Sequence, residues 1–467
     1  MKINCKNVQT ISAHKYLRFD CKYWNTQDEY NNYHYIKLKE IFKVINGSVQ
    51  TENYILEYSN TPYIRIGDLD YKYGIVMDNV IYLDDGSFIE HEKKLQENDI
   101  ILATIGATVG KAGRVGKKVI GGTHSNNTVI LRPSSDISTV FYEKVFQTDW
   151  FRKYIFGLVA QKAQPNLQPY EIENIKLPIV DEAIIKKAVD ETTIIEKEII
   201  KKNEFIKSAQ KIIDSVFQHE FGFDYDKFEE LKALRQYTSS QALFSNNPDL
   251  RFSAKFHRPA GGFVMKELTR ISDKKIKHFI SEPIVLGASV SPKDYDEAGE
   301  YYYISMATIK TWEFNESAAF TVSGTYSADK IAKSVLKNDI LLARSGEGTI
   351  GKVAIITTED VNGIFADFTM RIRLDSEHYN STFAYYYMRS RYFQYLIEVY
   401  KKGLGNNTNI FPIVIQEFPI PDISLPKQQR IVDEIQAEIN QQKEIQKEIA
   451  DLRNQIDEII LQSISAK

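Results

Sequence analysis

The chain has 467 residues, 43% hydrophobic and 26% charged, with a net charge of −3. That length exceeds what one core usually fills, roughly 250–300 residues, and the charge excludes a uniformly basic nucleic-acid binder while leaving local basic stripes open. Two cysteines, Cys5 and Cys21, supply neither a disulfide framework nor a four-ligand metal set, and no run approaches the roughly 18 apolar residues of a membrane span, so a cytoplasmic protein without membrane partners is expected.

In chain order, the elements come twice. Leu17-Arg18-Phe19 has a counterpart in Leu250-Arg251-Phe252. The strand patterns Tyr63–Ile66 and Ile100–Thr104 are matched by Tyr303–Met306 and by the run from Ile340, each preceded by Asn-Asp at 98–99 and 338–339. Ile75 to Tyr82, Val353 to Ile356 and Met370 to Leu374 are further strand patterns. Gly110-Lys111 matches Gly351-Lys352, and Arg132 matches Arg373. A helix is predicted over Val140–Phe156 and its twin over Phe383–Tyr400, from aromatic and aliphatic residues at helical spacing. The offset between copies grows only in small steps, from 233 to 243 positions. Chance similarity would scatter in both directions, so the chain reads as one duplicated unit with small loop insertions.

Each copy closes on a long helical pattern. Near the C-terminus, Ile431, Ile435, Ile445, Ile449, Leu452, Ile456 and Ile459 recur at a and d of a heptad, with Glu438 and Gln442 as polar interruptions. In the first copy, Ala188, Ile195, Ile199, Ile206, Ala209, Ile213 and Val216 take the same seam, interrupted by Thr192 and Lys202. A narrow apolar stripe with charged flanks suits a helix partner better than a broad core face. The expected fold class is α+β: two tandem-repeated domains, each a mixed sheet plus helices, separated by two long helices whose stripes can bury each other as a coiled coil. The expected boundaries are 1–178, first domain; 179–220, first spacer helix; 221–420, connection and second domain; 421–467, second spacer helix.

Motifs for bond-making chemistry are weak. Gly346 to Lys352 has the spacing of a phosphate loop, but Val353 stands where a magnesium-holding hydroxyl belongs. The β-pattern that follows supplies no helix N-terminus to face phosphates. Its twin, Gly106 to Lys111, is one residue too short. Both read as glycine-rich turns between strands, with the lysine pointing outward. His124, His219, His257 and His278 lack metal-ligand spacing. No catalytic residue, metal site or cofactor is assigned, and the chain is expected not to be an enzyme.

Surface for binding remains. Copy one offers Lys72, Tyr73, Lys111, Arg114, Lys117, Lys118, His124 and Asn126, with the loop residues Lys162 and Gln164. Copy two offers Lys310, Trp312, Arg344, Lys352, Arg371 and Arg373, with Lys401 and Asn406 in a basic loop. Lysine and arginine neutralise phosphates; Asn, His and Arg also read base edges.

The architecture resembles the DNA-specificity subunit of type I restriction–modification systems. The likeness rests on the two-fold repeat, on Asp339 to Gly346 with Thr349 to Val353, and on Pro426-Lys427-Gln428-Gln429-Arg430-Ile431-Val432. Copy one is looser, since Ile179 to Lys187 lacks the Gln-Gln-Arg run. The resemblance implies that each repeated unit is a target-recognition domain for one half of a bipartite double-stranded DNA target, and that the two long helices pair as an antiparallel coiled coil that sets the gap. It implies two docked methyltransferase subunits and a restriction/translocase subunit able to join them. Adenine methylation, S-adenosylmethionine and ATP would then belong to the partners. Two competing classes are an ATP-dependent enzyme using Gly346–Lys352 and a scaffold whose repeats bind only proteins.

Overall fold

The computed structural model describes residues 23–24, 26, 33–49, 55–56, 58–87, 89–159, 165–242, 251–346, 348–403 and 407–466. The chain divides into two compact units, one of Met1–Phe205 with Ile445–Lys467 and the other of Ile206–Glu444. Among the described residues, no helix is long and apolar enough to cross a membrane.

In the first unit, β2 (Phe42–Asn46), β11 (Thr128–Pro133), β8 (Ile100–Ala103) and β9 (Ala112–Arg114) form an antiparallel sheet in that order. A second sheet has the order β10-β4-β7-β3: β10 (Thr123–His124) lies parallel to β4 (Thr61–Ile64), and β7 (Ile81–Leu83) and β3 (Ile55–Leu56) continue antiparallel. Two short pairs complete the unit, β1 (Tyr35–Lys37) with β12 (Lys176–Pro178) and β5 (Leu69–Asp70) with β6 (Gly74–Ile75). The predicted single strand from Ile75 to Tyr82 is therefore β6 and β7, which pair with different partners.

The second unit repeats this plan. β13 (Val285–Leu286), β19 (Thr369–Ile372), β16 (Ile340–Ala343) and β17 (Val353–Ile355) form one antiparallel sheet. β14 (Tyr301–Ile304) lies between antiparallel β15 (Phe320–Val322) and parallel β18 (Gly363–Phe365). The central strands β8 and β16 are buried at every position, as an uninterrupted apolar run requires.

The Asn-Asp pair before each central strand is structural. Asn98 and Asn338 sit at φ 69° and 71°, a left-handed conformation asparagine tolerates better than most residues. The buried Asp99 and Asp339 then accept the backbone N–H of Gln96 and Leu336, and pair with Arg132 at 2.8 Å and Arg373 at 2.7 Å.

Each predicted aromatic helix is two helices. The first unit has α1 (Thr139–Gln147) and α2 (Asp149–Leu158). Thr148, fully buried between them, donates to the Val145 carbonyl and accepts from the Phe151 N–H. The first spacer helix is also broken, into α3 (Glu182–Glu204) and α4 (Ala209–Phe221). Ser208 caps α4 by accepting the Lys211 N–H, and the Lys207 N–H, left outside either helix, donates to the Gln442 side chain. The second unit continues with α5 (Tyr225–Ala233), α6 (Pro259–Ile271), α7 (Ser381–Arg389) and α8 (Arg391–Tyr400). Ser390 breaks α7 from α8 just as Thr148 does in the first unit, capping the Phe393 N–H. These breaks come from side-chain capping, which hydrophobic spacing does not register.

The last helix, α9 (Leu425–Ser465), is unbroken. In the first unit its later half carries buried Ile449, Ile456, Ile460 and Ile464, and Glu448 pairs with Lys202 of α3 at 2.8 Å. In the second unit Arg430 pairs with Glu220 of α4 at 2.6 Å, while Gln442 meets Lys207. Later residues of α9 thus meet earlier residues of α4, so the two run antiparallel. Of the seam residues, Ile199, Ile213, Ile435, Ile449 and Ile456 are buried, and Ile195, Ile206, Ile445 and Leu452 half-buried. Ile460 rather than Ile459 is buried at the end: a straight helix advances 3.6 residues per turn and drifts from a 3.5-residue repeat. Ile213 and Ile435 belong to one core with Phe217, Phe383, Tyr387 and Phe393. There the seam meets a broad aromatic core, not a second helix alone.

Candidate nucleic-acid interface

The glycine-rich turns that resemble phosphate loops join β8 to β9 and β16 to β17, neighbouring antiparallel strands. Gly106, Gly110, Gly346, Gly348 and Gly351 all have φ between 72° and 88°, where a side chain would be strained. A Cβ added at Gly348 would meet nothing, so that backbone is open to approach. Val353 begins a strand, and no helix N-terminus follows. Among the described residues no helix start follows the turn, so no helix dipole is there to favour nucleotide phosphates.

The loop lysines are not simply outward. Lys352 Nζ lies 3.9 Å from the centre of the Trp312 ring, and Arg389 Cζ lies 5.3 Å from the same centre. Trp312 itself has φ 69°, uncommon for a bulky residue. Its backbone carbonyl accepts from Tyr385 Oη, which in turn accepts from Arg389 Nη1 at 2.7 Å. Burial, and then the charge of Arg389, lower the Lys352 pKa. In the first unit Lys111 Nζ lies 5.4 Å and Arg152 Cζ 4.4 Å from the centre of Tyr71. Tyr71 Oη donates to the Ala107 and Val109 carbonyls of the glycine turn.

Several candidates from the sequence are engaged by other groups of the protein. His124 is fully buried on β10, with Nδ1 3.0 Å from Thr128 Oγ1. Burial lowers its pKa to about 4, helped by the charges of Lys93 and Arg132. It is a neutral core histidine: both residues of β10, Thr123 and His124, are buried. Lys72 pairs with Asp457 at 2.6 Å and Asp149 at 3.5 Å, which anchors it to α9. Tyr73 stacks under Arg453, 4.5 Å away. Arg114 pairs with Glu143 at 3.3 Å. Arg371 is buried against Glu282, which also takes Arg373. Lys401 pairs with Glu398 at 2.6 Å, and Arg344 donates to the Asp367 carbonyl. Lys117, Lys118, Asn126 and Lys310 are exposed. Lys162, Gln164 and Asn406 lie outside the described residues.

Sequence reasoning missed Arg152, Tyr71, Arg389 and Arg391, which lie on or beside helices read only as core. Arg391 pairs with Glu229 at 3.3 Å and Asp214 at 3.6 Å. With Lys352 and Arg389 it lines a cavity of about 840 Å³ in the second unit. The only local mark was an arginine directly after a large apolar residue, as in Met388-Arg389 and Phe151-Arg152, which does not by itself distinguish these positions.

Residues 30–204 and 283–457, about three quarters of the chain, match the family described as Type I restriction modification DNA specificity domain. The chain belongs to that family. Its two specificity domains take in both sheet systems, α3, and α9 as far as Asp457. No curated protein sequence matches. Among solved structures, one described as the structural basis of complex assembly and conformational transition of the type I R-M system is 14% identical, with a TM-score of 0.46, covering 92% of this chain and 97% of that chain. The type I restriction–modification S subunit from M. genitalium is 11% identical, with a TM-score of 0.42, covering 92% and 96%. The HsdS subunit from Thermoanaerobacter tengcongensis is 12% identical, with a TM-score of 0.32 and the same coverage. The matched family is a DNA specificity domain, present twice in this chain.

Proposed function

We propose that this chain is the non-catalytic, sequence-reading subunit of a type I restriction–modification complex. Each of its two specificity domains reads one half of a bipartite duplex target. Methyltransferase subunits dock on its helices and supply S-adenosylmethionine chemistry, and a restriction/translocase subunit can join them. The observation that carries this reading is the repeat: the order β13-β19-β16-β17 answers β2-β11-β8-β9 strand for strand, within one chain. One polypeptide thereby offers two like reading surfaces, as a symmetric dimer does, and different loops allow the half-sites to differ. The ATP-dependent alternative is disfavoured by the strand that follows Lys352 and by the stacking of that lysine on Trp312. A protein-only scaffold predicts no steep salt dependence of duplex binding, whereas a phosphate-contacting reader requires it.

Methylation-aware sequencing of the host genome, with and without this chain, tests the proposal. The expected result is one bipartite adenine-methylated motif that disappears when the chain is removed. Unchanged methylation, or loss of a single uninterrupted motif, would overturn it.

A further inference from the structure

Lys352 and Arg389 present two positive charges to one indole ring, and among the described residues neither forms an ion pair. The carboxylates that line the same cavity are already engaged: Glu398 pairs with Lys401 and Lys255, and Asp214 and Glu229 with Arg391. Arg389 is only 6% exposed, and its Nε has no hydrogen-bond partner. A buried guanidinium with an unmet donor is costly unless something anionic completes it. Guanidinium also suits phosphate oxygens better than a point charge does. In the turn that carries Lys352, a Cβ added at Gly348 would meet nothing, whereas Gly346 and Gly351 lie close against side chains.

The first unit arrives at the same composition by another route. Lys111 occupies the equivalent turn and Tyr71 takes the place of the indole. Its arginine, Arg152, lies on α2, whereas Arg389 lies on α7, the counterpart of α1. Like the second trio, Lys111 and Arg152 form no ion pair among the described residues. Duplication explains the shared lysine. It does not explain an arginine recruited to the same ring from a different helix, which points to a common demand on the site.

We propose that Lys352, Trp312 and Arg389, and likewise Lys111, Tyr71 and Arg152, form one phosphate seat in each specificity domain. The ligand is a backbone phosphate of the duplex that the domain reads. The inference rests on the DNA-reading function proposed above. It assigns these residues to anchoring rather than to base choice: they fix the position of each domain and carry no sequence information.

The test uses the full chain with Lys111→Gln, Lys352→Gln and the double variant. Binding of a fluorescent duplex is followed by anisotropy from 50 to 200 mM salt. Each lost phosphate contact should flatten the slope of log K against log salt by about 0.9, and the double variant by about twice that. The affinity ratio between target and scrambled duplexes should not change. Arg389→Lys keeps the charge and should hold the wild-type slope, while Arg389→Gln should flatten it; thermal melting identifies any variant that unfolds, and the arm with half-buried Lys111, in the other unit, does not depend on Arg389. Inorganic phosphate, titrated against Trp312 fluorescence at matched ionic strength, distinguishes a free small anion from the duplex backbone. Slopes equal to wild type in folded lysine variants would overturn the seat while leaving the DNA-reading function intact. Phosphate binding lost in Lys352→Gln with an unaltered duplex slope would overturn the backbone as its ligand. Absence of any duplex binding by the wild type would overturn both readings.

Discussion

His124 shows how a polar residue in a promising sequence context becomes a core element. The run Thr123-His124-Ser125-Asn126-Asn127 reads as a recognition loop, yet β10 pairs with β4 and carries the imidazole inward. The buried ring is held neutral, with its pKa lowered to about 4 from an ordinary value near 6.5. The unfolded chain therefore binds this proton first. The contribution of His124 is fully present above pH 6.5 and is lost as the pH falls towards 4, by about 3 kcal/mol in all. Urea denaturation of the wild type from pH 7 to pH 4 should show that loss, and His124→Gln should flatten it. A pH profile identical in the variant would mean that the ring is not buried as described. The paired Asp339 and Arg373 give a second residue-scale expectation. Asp339 is 1% exposed and also holds the Leu336 N–H, so Asp339→Ala should cost about 3 kcal/mol of unfolding free energy, as breaking a buried pair does. Asp99→Ala should do the same in the first unit.

At the scale of elements, periodicity located the strands and helices, and capping decided where the helices end. Ile100–Ala103 and Ile340–Ala343 were legible because a fully apolar run between turn residues has few alternatives. The three helix breaks were not, because Thr148, Ser208 and Ser390 interrupt the backbone without disturbing the apolar spacing around them. A Ser or Thr three positions before Phe151, Lys211 or Phe393 was the usable signal. Each cap should be separable experimentally. Thr148→Ala and Ser390→Ala should each lower stability by about 1–2 kcal/mol. They lie in different units, so a double variant should show the sum of the two losses in denaturant titrations. The candidate site was legible in part: the lysines of the glycine turns stood out as cations beside flexible backbone. Their arginine partners did not, because nothing in a mostly core helix marks which cation meets the ring: α2 carries Arg152 beside Lys153, and α7 ends on Arg389.

For the molecule as a whole, the proposed division of labour makes a geometric demand. Under that proposal, bases are read within each specificity domain, while the gap between half-sites follows the length of the two long helices. Adding seven residues to one helix alone would misalign pairs such as Lys202 with Glu448, so the insertion must be made in both. Suitable places are after Ile195 in α3 and after Asp451 in α9, which keep the seam in phase. Seven residues lengthen a helix by about 10 Å, close to three base pairs at about 3.4 Å each. Methylation-aware sequencing of cells carrying the doubly extended chain should then find the same two half-sites, separated by about three additional base pairs. If the half-sites change while the gap holds, the helices do not set the spacing; if methylation persists at the original motif, the domains are positioned by something other than their own paired rods.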